Sequence, residues 1–358
     1  MKKVLLGTSA LALAGAFASP AASAEWSMRV GGYMEQFVAY ADSDASFDGD
    51  FDGIDSKQDA EIWFLPSITL DNGIKIGANV QLEAFQNSDQ IDESYMFIKG
   101  SFGEILLGSE NSAGYKMTYA APDVSFLNVN SGSTVSFIPW SGGGAGSDVF
   151  RRTLGSSYLE NVGNNDAQRF TYFSPRFAGL QIGLSYARDG FQDTNAQVDV
   201  DSTLSDIFDV GANYVNSFGD FNVAISGRWG IGDAPSGFDN PTLWVAGLNL
   251  GFGGFTVGGS YGEQNKASAI QMNGEVFDVG ASYTTGPWGF SVTYFRGENQ
   301  DNDGPGDETV DQFLVALSYD LAKGVNIGAY GAFVDFEEDD HEDDVDGFII
   351  GTGVKIKF

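Results

Sequence analysis

The feature that most constrains the fold is an alternation of apolar and polar residues that recurs along nearly the whole chain. In 347–358, one face carries Phe348, Ile350, Val354, Ile356 and Phe358, and the other carries glycines and lysines. A period of two is typical of a strand with only one face in an apolar environment. About sixteen such segments recur, and none after residue 24 has the ~18 consecutive apolar residues that a membrane helix needs. The chain is therefore predicted to be all-β.

The connections between these segments alternate in length. Tight turns such as Asp71-Asn72-Gly73 occupy every second position, and the connections between them are long and polar, as in 41–57, 189–205, 297–308 and 335–346. Short turns at one end and long loops at the other are typical of outer-membrane barrels. A sheet in lipid must close because every backbone group needs a partner. We predict a transmembrane antiparallel β-barrel of about 16 strands.

Two alternatives to this fold stay open. Strands near 58–70 and 91–109 alternate poorly, with Trp63 and Leu65 on the nominally inner face, so counts of about fourteen or eighteen strands are also compatible with the pattern. A secreted, soluble β-sandwich also has alternating strands, although it rarely has such regular alternation of short and long connections.

The N-terminus predicts export. Lys2 and Lys3 precede an apolar run from Leu5 to Phe17, and Ala22-Ser23-Ala24 offers small residues for cleavage, so 1–24 is predicted to be a signal peptide and 25–358 the barrel domain. Loss of the two lysines would change the formal net charge from −31 to −33. A chain this acidic is predicted not to bind nucleic acid and to favour cations as passing solutes.

The longest connection, 110–166, is predicted to be functional. Segments of this length are usually functional or disordered, and aromatic residues such as Phe126, Phe137 and Trp140 favour a loop that packs against other residues. A barrel of this size has an open lumen, so the loop is predicted to fold inward and constrict the pore. A loop that caps the outer mouth is the alternative.

If the loop constricts the pore, charged residues of the loop and of the strands should line the constriction. The acidic candidates on the loop are Asp123, Asp148, Glu160 and Asp166. The basic candidates occupy strand positions whose side chains are expected, from the alternation, to point into the barrel. They are Arg29, Lys75, Arg169, Arg228 and Lys355. Opposing charges would create a field across the pore, and rings of charge set the ion preference of a channel.

The residues that catalysis requires are absent from the sequence. There is no cysteine, and the only histidine, His341, has no nucleophile pattern around it. We predict no catalytic residue, no metal site and no cofactor, with a barrel hydrolase as a minor alternative. The acidic runs 42–55 and 335–346 suit weakly bound Ca²⁺, or divalent ions that bridge to the phosphates of outer-membrane lipid and lipopolysaccharide, but lack the spacing of an EF-hand.

Two stretches also carry a family resemblance. The turn and strand at 71–78, and the strand–turn–strand at 91–110 before the long loop, resemble those of the general (non-specific) porins of Gram-negative bacteria, especially the alphaproteobacterial type. The terminal Phe358 resembles that family's C-terminal aromatic assembly signal. The resemblance implies an outer-membrane homotrimer of 16-stranded barrels in which the third loop constricts the pore. It also implies an acidic loop facing a basic wall, a division that Arg151 and Arg152 on the loop blur.

The predicted function combines these arguments. The chain is expected to be a passive diffusion channel for ions and small hydrophilic solutes, and its negative charge favours cations. A substrate-specific outer-membrane channel and a non-conducting, adhesin-like barrel are the alternatives.

Overall fold

The alternating segments form sixteen antiparallel strands that pair in chain order, and β16 pairs with β1 to close the sheet. The structure is a computed structural model that describes residues 25–45, 50–85, 90–140, 149–161, 165–192, 194–266, 273–300, 306–339 and 344–358. The strands are β1 (Ser27–Ala45), β2 (Gly53–Thr69), β3 (Lys75–Glu83), β4 (Ile91–Gly100), β5 (Gly103–Ser109), β6 (Gln168–Phe173), β7 (Leu180–Asp189), β8 (Ser205–Phe218), β9 (Phe221–Asp233), β10 (Thr242–Phe252), β11 (Phe255–Asn265), β12 (Gly274–Thr285), β13 (Trp288–Gln300), β14 (Asp307–Ala322), β15 (Val325–Glu338) and β16 (Val345–Lys357). The predicted fold class and the count of sixteen are confirmed. The predicted signal peptide, Asp148 and His341 lie outside the described residues.

The strands are longer at the loop end than the alternation predicted. β1 continues to Ala45 and β2 begins at Gly53, so the connection predicted at 41–57 is much shorter. Asp42 pairs with Phe348 and Asp44 with Asp346 in this extension. The apolar period fails there because an outward side chain beyond the lipid no longer has to be apolar.

Aromatic rings pair on the outer face beside the tight turns. The pairs are Phe221 with Phe252 (4.6 Å between centroids), Phe255 with Tyr283 (4.2 Å) and Trp288 with Tyr319 (4.5 Å). Towards the loop end, Trp244 lies 5.4 Å from Tyr261. Trp244 and Phe252 are both on β10, about 27 Å apart along a strand with a rise of ~3.4 Å per residue. Two such girdles are expected where a membrane barrel crosses the two interfaces.

Helical structure in the described residues is confined to the long loop. It comprises α1 (Ala113–Met117) and two short 3₁₀ turns, Val129–Ser131 and Ser133–Ser136. Ser112 caps α1, because its hydroxyl accepts a hydrogen bond from the Tyr115 N–H at 3.2 Å. Within the described ranges, no helix has the length and apolar character needed to cross a membrane.

The main hydrophobic core lies inside the barrel, between the long loop and the inner wall. Val129, Ile138 and Trp140 of the loop are fully buried. The inward wall residues of this core come from β1, from β10 and from β12 to β16, and they include Ala39, Leu243, Val245, Val276, Phe295, Val310, Leu314, Val334, Phe336 and Ile349. The described part of the loop therefore folds into the lumen, as predicted.

Candidate pore constriction

Hydrogen bonds to successive wall strands hold the first part of the loop. Backbone N–H groups of the loop donate to side chains on β7, β8, β9, β12 and β13, so the wall supplies the partners that secondary structure would otherwise provide. The donors and acceptors are Ala113 to Ser185 (2.7 Å), Gly114 to Asp209 (2.5 Å), Tyr119 to Ser226 (2.9 Å), Ala121 to Asp278 (3.0 Å) and Val124 to Ser291 (3.1 Å). These bonds fix the course of the loop along the wall.

Two inward-facing glycines allow the loop backbone to approach the wall closely. A Cβ atom at Gly247 on β10 would overlap the carbonyl oxygen of Tyr119. A Cβ atom at Gly297 on β13 would overlap the carbonyl oxygens of Thr153 and Leu154. Glycine in a strand interior often marks such an approach, so these two positions are part of the docking surface for the loop.

Arg228 forms buried ion pairs beneath the loop. Its guanidinium lies 2.5 Å from the carboxylate of Asp209 on β8 and 3.2 Å from that of Glu160 on the loop, and all three side chains are almost completely buried. Burial alone would raise the pKa of Glu160, but the guanidinium groups of Arg228, Arg169 and Arg151 hold it below the ordinary glutamate value. The ion pair between Arg228 and Glu160 joins the end of the loop to the wall.

Carboxylates gather on the inner wall formed by β2, β3 and β4. Glu61, Glu83 and Asp92 each have an oxygen within 4.8 Å of the others, and all three are partly exposed. We call these three residues the eyelet carboxylates. Next to them, the Tyr33 hydroxyl lies 3.0 Å from carboxylate oxygens of both Asp59 and Glu61. This part of the wall is polar and negatively charged, unlike the apolar wall under the loop core.

Arg151 of the loop lies within electrostatic range of this acidic wall. Its guanidinium carbon is 4.5 Å from the ring centroid of Tyr115 and 4.8 Å from that of Phe150. The guanidinium is 3.8 Å from the carboxylate of Asp166 and also interacts electrostatically with Asp92. At this point a positive charge of the loop, beside Asp166 of the same loop, faces negative charges on the wall. The sequence had predicted an acidic loop facing a basic wall.

Several residues predicted at the pore lie instead between the loop and the wall. Glu160, Arg169 and Arg228 are each less than a tenth exposed, and the guanidinium of Arg169 donates to the Ala167 carbonyl oxygen at 3.3 Å. Asp123 accepts a hydrogen bond from the Ser291 hydroxyl at 2.7 Å. The contacts of Glu160 with Arg228 and of Asp123 with Ser291 join the loop to the wall.

The other predicted site residues are more widely spread. Asp166 is buried beside Arg151, and burial raises its pKa above the ordinary aspartate value. Lys355 pairs with Glu35 and lies 4.9 Å from the ring centroid of Tyr33. Arg29 and Lys75 lie near the turn end of the barrel, with Lys75 5.8 Å from the Phe97 ring centroid. The structure thus brings Arg228 and Glu160 together and places Arg29 and Lys75 near the turn end of the barrel.

Sequence analysis missed the eyelet carboxylates as a group. Glu61 and Glu83 are directly opposite each other in the pairing of β2 with β3, a signal that appears only once the strand register is known. The register of β3 with β4 shifts between Val80 and Leu82. Asp92 lies beside this irregularity, so counting alternate residues along the sequence does not predict to which face its side chain points.

Comparisons with known proteins agree with this architecture. The chain matches the family of Gram-negative porins over residues 8–340. An uncharacterized protein of Rickettsia bellii (strain RML369-C) is 23% identical, in a match that covers 67% of this chain and 69% of that protein.

Two solved structures illustrate the similarity of fold. OmpT of Vibrio cholerae, an outer membrane protein in a trimer form, has a TM-score of 0.62 and 12% identity, and the match covers 93% of this chain and 99% of that chain. An anion-selective porin from Comamonas acidovorans has a TM-score of 0.59 and 16% identity, with 93% and 100% covered. At these identities the likeness concerns the fold, so ion preference must be argued from the residues of this chain.

Proposed function

Since this chain belongs to the Gram-negative porin family and forms an outer-membrane channel, we propose that it is a passive diffusion channel for ions and small hydrophilic solutes with a preference for cations. The observation that carries the cation preference is the group of eyelet carboxylates, whose oxygens lie within 4.8 Å of one another on the inner wall. Rings and clusters of carboxylates are the usual basis of cation preference in channels. The formal net charge of −31 has the same sign.

The expected size of the preference can be worked from Coulomb's law. A unit charge about 6 Å from a passing ion contributes about 0.7 kcal/mol in water, and screening at 0.1 M salt reduces this by roughly half. The contributions of Glu61, Glu83 and Asp92 add, because all three are close to one point. Because the same charges attract K⁺ and repel Cl⁻, the two effects combine to about 1.4 kcal/mol or more, and a preference of about tenfold for K⁺ over Cl⁻ is therefore expected.

The proposal is tested by the zero-current potential of the reconstituted protein across a planar bilayer under a KCl gradient. Wild type should be cation-selective. Neutralising the cluster with Glu61→Gln, Glu83→Gln and Asp92→Asn should reduce the permeability ratio of K⁺ to Cl⁻ several-fold.

A matched control removes the same number of charges away from the cluster. Asp71, Asp201 and Asp220 are exposed and lie outside the strands, so neutralising them should change the ratio little because charges at the mouths are screened within about 10 Å at 0.1 M salt. An anion-selective wild type, or equal effects of the two triple variants, would show that the eyelet carboxylates do not determine selectivity.

The proposal extends to assembly and processing. We propose that the protein is a homotrimer surrounded by outer-membrane lipid and lipopolysaccharide, that 1–24 is removed as a signal peptide, and that 110–166 is the constriction loop of the 25–358 barrel. The trimer form of the Vibrio cholerae structure supports the assembly, and conductance steps that arrive in threes would test it. Weak Ca²⁺ binding by the acidic outer loops stays a prediction.

A further inference from the structure

Arg151 is held in place through both its backbone and its side chain. Its φ of 58° lies in the left-handed region, which residues other than glycine rarely adopt. Its carbonyl oxygen accepts a hydrogen bond from the Glu160 N–H at 3.0 Å. The guanidinium is stacked near the rings of Tyr115 and Phe150 and donates to the Asn111 side-chain oxygen. Strained residues fixed in this way often lie at functional sites.

The guanidinium is held where acidic groups converge. Asp166 is 3.8 Å away, and Asn111, to which the guanidinium donates, in turn donates to the carboxylate of Glu93 at 2.8 Å, directly next to Asp92 in β4. Asp92 also interacts electrostatically with Arg151, Glu61 and Glu83. Oxygens of the eyelet carboxylates lie within 4.8 Å of one another. Without a resident positive charge, so close a set of carboxylate oxygens has the chemistry that binds hard divalent cations. Conduction requires an ion to be bound weakly enough to leave.

We propose that Arg151 is a specificity-determining residue of the channel, a tethered counter-cation that prevents the eyelet carboxylates from trapping Mg²⁺ while K⁺ and small solutes still pass. A guanidinium attached to the loop cannot diffuse away, so a divalent cation must compete with it for the same carboxylates. A monovalent cation, which needs fewer of these carboxylates, is held less strongly and continues through the pore. This inference rests on the proposed cation-preferring channel.

The test measures the block of K⁺ current by added MgCl₂ in single channels of the full-length, reconstituted protein. Arg151→Gln should raise the permeability ratio of K⁺ to Cl⁻ and make Mg²⁺ block at a concentration about tenfold or more below that needed for wild type. Arg151→Lys, which retains the charge, should resemble wild type. The matched control is Lys99→Gln, which removes a positive charge that is paired with Glu104 at 3.3 Å. Lys99 is about 24 Å along β4 from Asp92, so its removal should leave the Mg²⁺ response unchanged.

Each outcome is decisive. An unchanged Mg²⁺ response in a folded, heat-modifiable Arg151→Gln channel overturns the inference, as does an equal response of the Lys99→Gln control. If Arg151→Gln does not fold, Arg151→Met retains an apolar stem between the two rings and is measured in the same way. An anion-selective wild type refutes the proposed function, whereas a cation-selective wild type with no effect at Arg151 refutes only this inference.

Discussion

Replacing Arg228 by methionine should release part of the constriction loop while the barrel stays closed. Arg228 pairs with Asp209 and Glu160, and its guanidinium also donates to the Ser112 hydroxyl at 3.1 Å and to the Leu159 carbonyl oxygen. Methionine retains much of the apolar stem and removes these contacts. Two carboxylates would then be buried without their main counter-charge.

The structure allows an estimate of the effect. Breaking a buried ion pair from one side costs about 3–5 kcal/mol, because it leaves an uncompensated charge. At 1.4 kcal/mol for each tenfold change, the equilibrium for local docking would shift by roughly two to three and a half orders of magnitude. The protein avoids this cost when the segments around Ser112 and Glu160 leave the wall, because the carboxylates are then hydrated again. The core around Ile138 and Trp140 does not involve Arg228, so the middle of the loop should stay docked.

Single-channel recording and limited trypsin digestion together measure this release. Arg228→Met should show a noisier and larger conductance than wild type. Trypsin should cleave the folded barrel at Arg151 or Arg152, which wild type protects because the Arg151 side chain is only 14% exposed. Arg188→Met is the control, since that side chain is 58% exposed and pairs with Asp189 only at 3.7 Å, a surface pair worth about 0–1 kcal/mol. Wild-type conductance and full protection in folded Arg228→Met would refute the argument that this arginine anchors the loop.

Two further predictions concern the docking of the loop and its response to pH. Gly247→Val should displace the loop at Tyr119 and change the single-channel conductance, whereas Gly227→Val, where nothing lies within 4 Å of an added Cβ, should not; equal effects would contradict the close-approach argument. Because the pKa of Glu160 is lowered, its contribution to docking is present above the ordinary value of 4.5 and is lost as the pH falls through its lower folded-state pKa. Burial raises the pKa of Asp166, so its charge is lost while the pH is still above the ordinary value of 3.8. Protonation of Asp166 leaves the positive charge of Arg151 less compensated, so the cation-selective zero-current potential should fall first on acidification. The conductance should become noisy only at lower pH, where Glu160 loses its charge. The opposite order would contradict these roles of Asp166 and Glu160.

Most of the barrel could be predicted from sequence because one face of every strand meets lipid. The predicted count of sixteen strands agrees with the structure, and the tight turn predicted at Asp71-Asn72-Gly73 lies between β2 and β3. The prediction was less accurate at the loop end, where outward residues such as Asp42 and Asp346 are no longer in lipid. Inward folding of the long loop was also predictable, since Trp140 and its apolar neighbours needed a partner.

The charges of the constriction were harder to predict, because parity identifies the face of a strand and not what covers that face. Arg228 has the inward parity and the charge expected of a pore-lining residue, yet Ser112, Leu159 and Glu160 of the loop lie over it. Glu61 and Glu83 also have inward positions, and they lie directly opposite each other on the adjacent strands β2 and β3. Parity alone therefore cannot separate a buried anchor from a residue in contact with the passing ion.

Strands that depart from alternation indicate which part of the wall the loop covers. The run Phe313–Leu317 of β14 is apolar at every position, with Phe313 and Val315 exposed on the outer face and Leu314 and Ala316 buried on the inner face. A strand that is apolar on both faces must have an apolar neighbour on both, and inside a barrel that neighbour can only be a loop. A strand with lipid on one face and inward carboxylates, such as β2 with Glu61, indicates a wall that water reaches. In a porin of this kind, uninterrupted apolar runs therefore predict the docking surface of the loop, and the ion path should follow the strands whose inner face is charged.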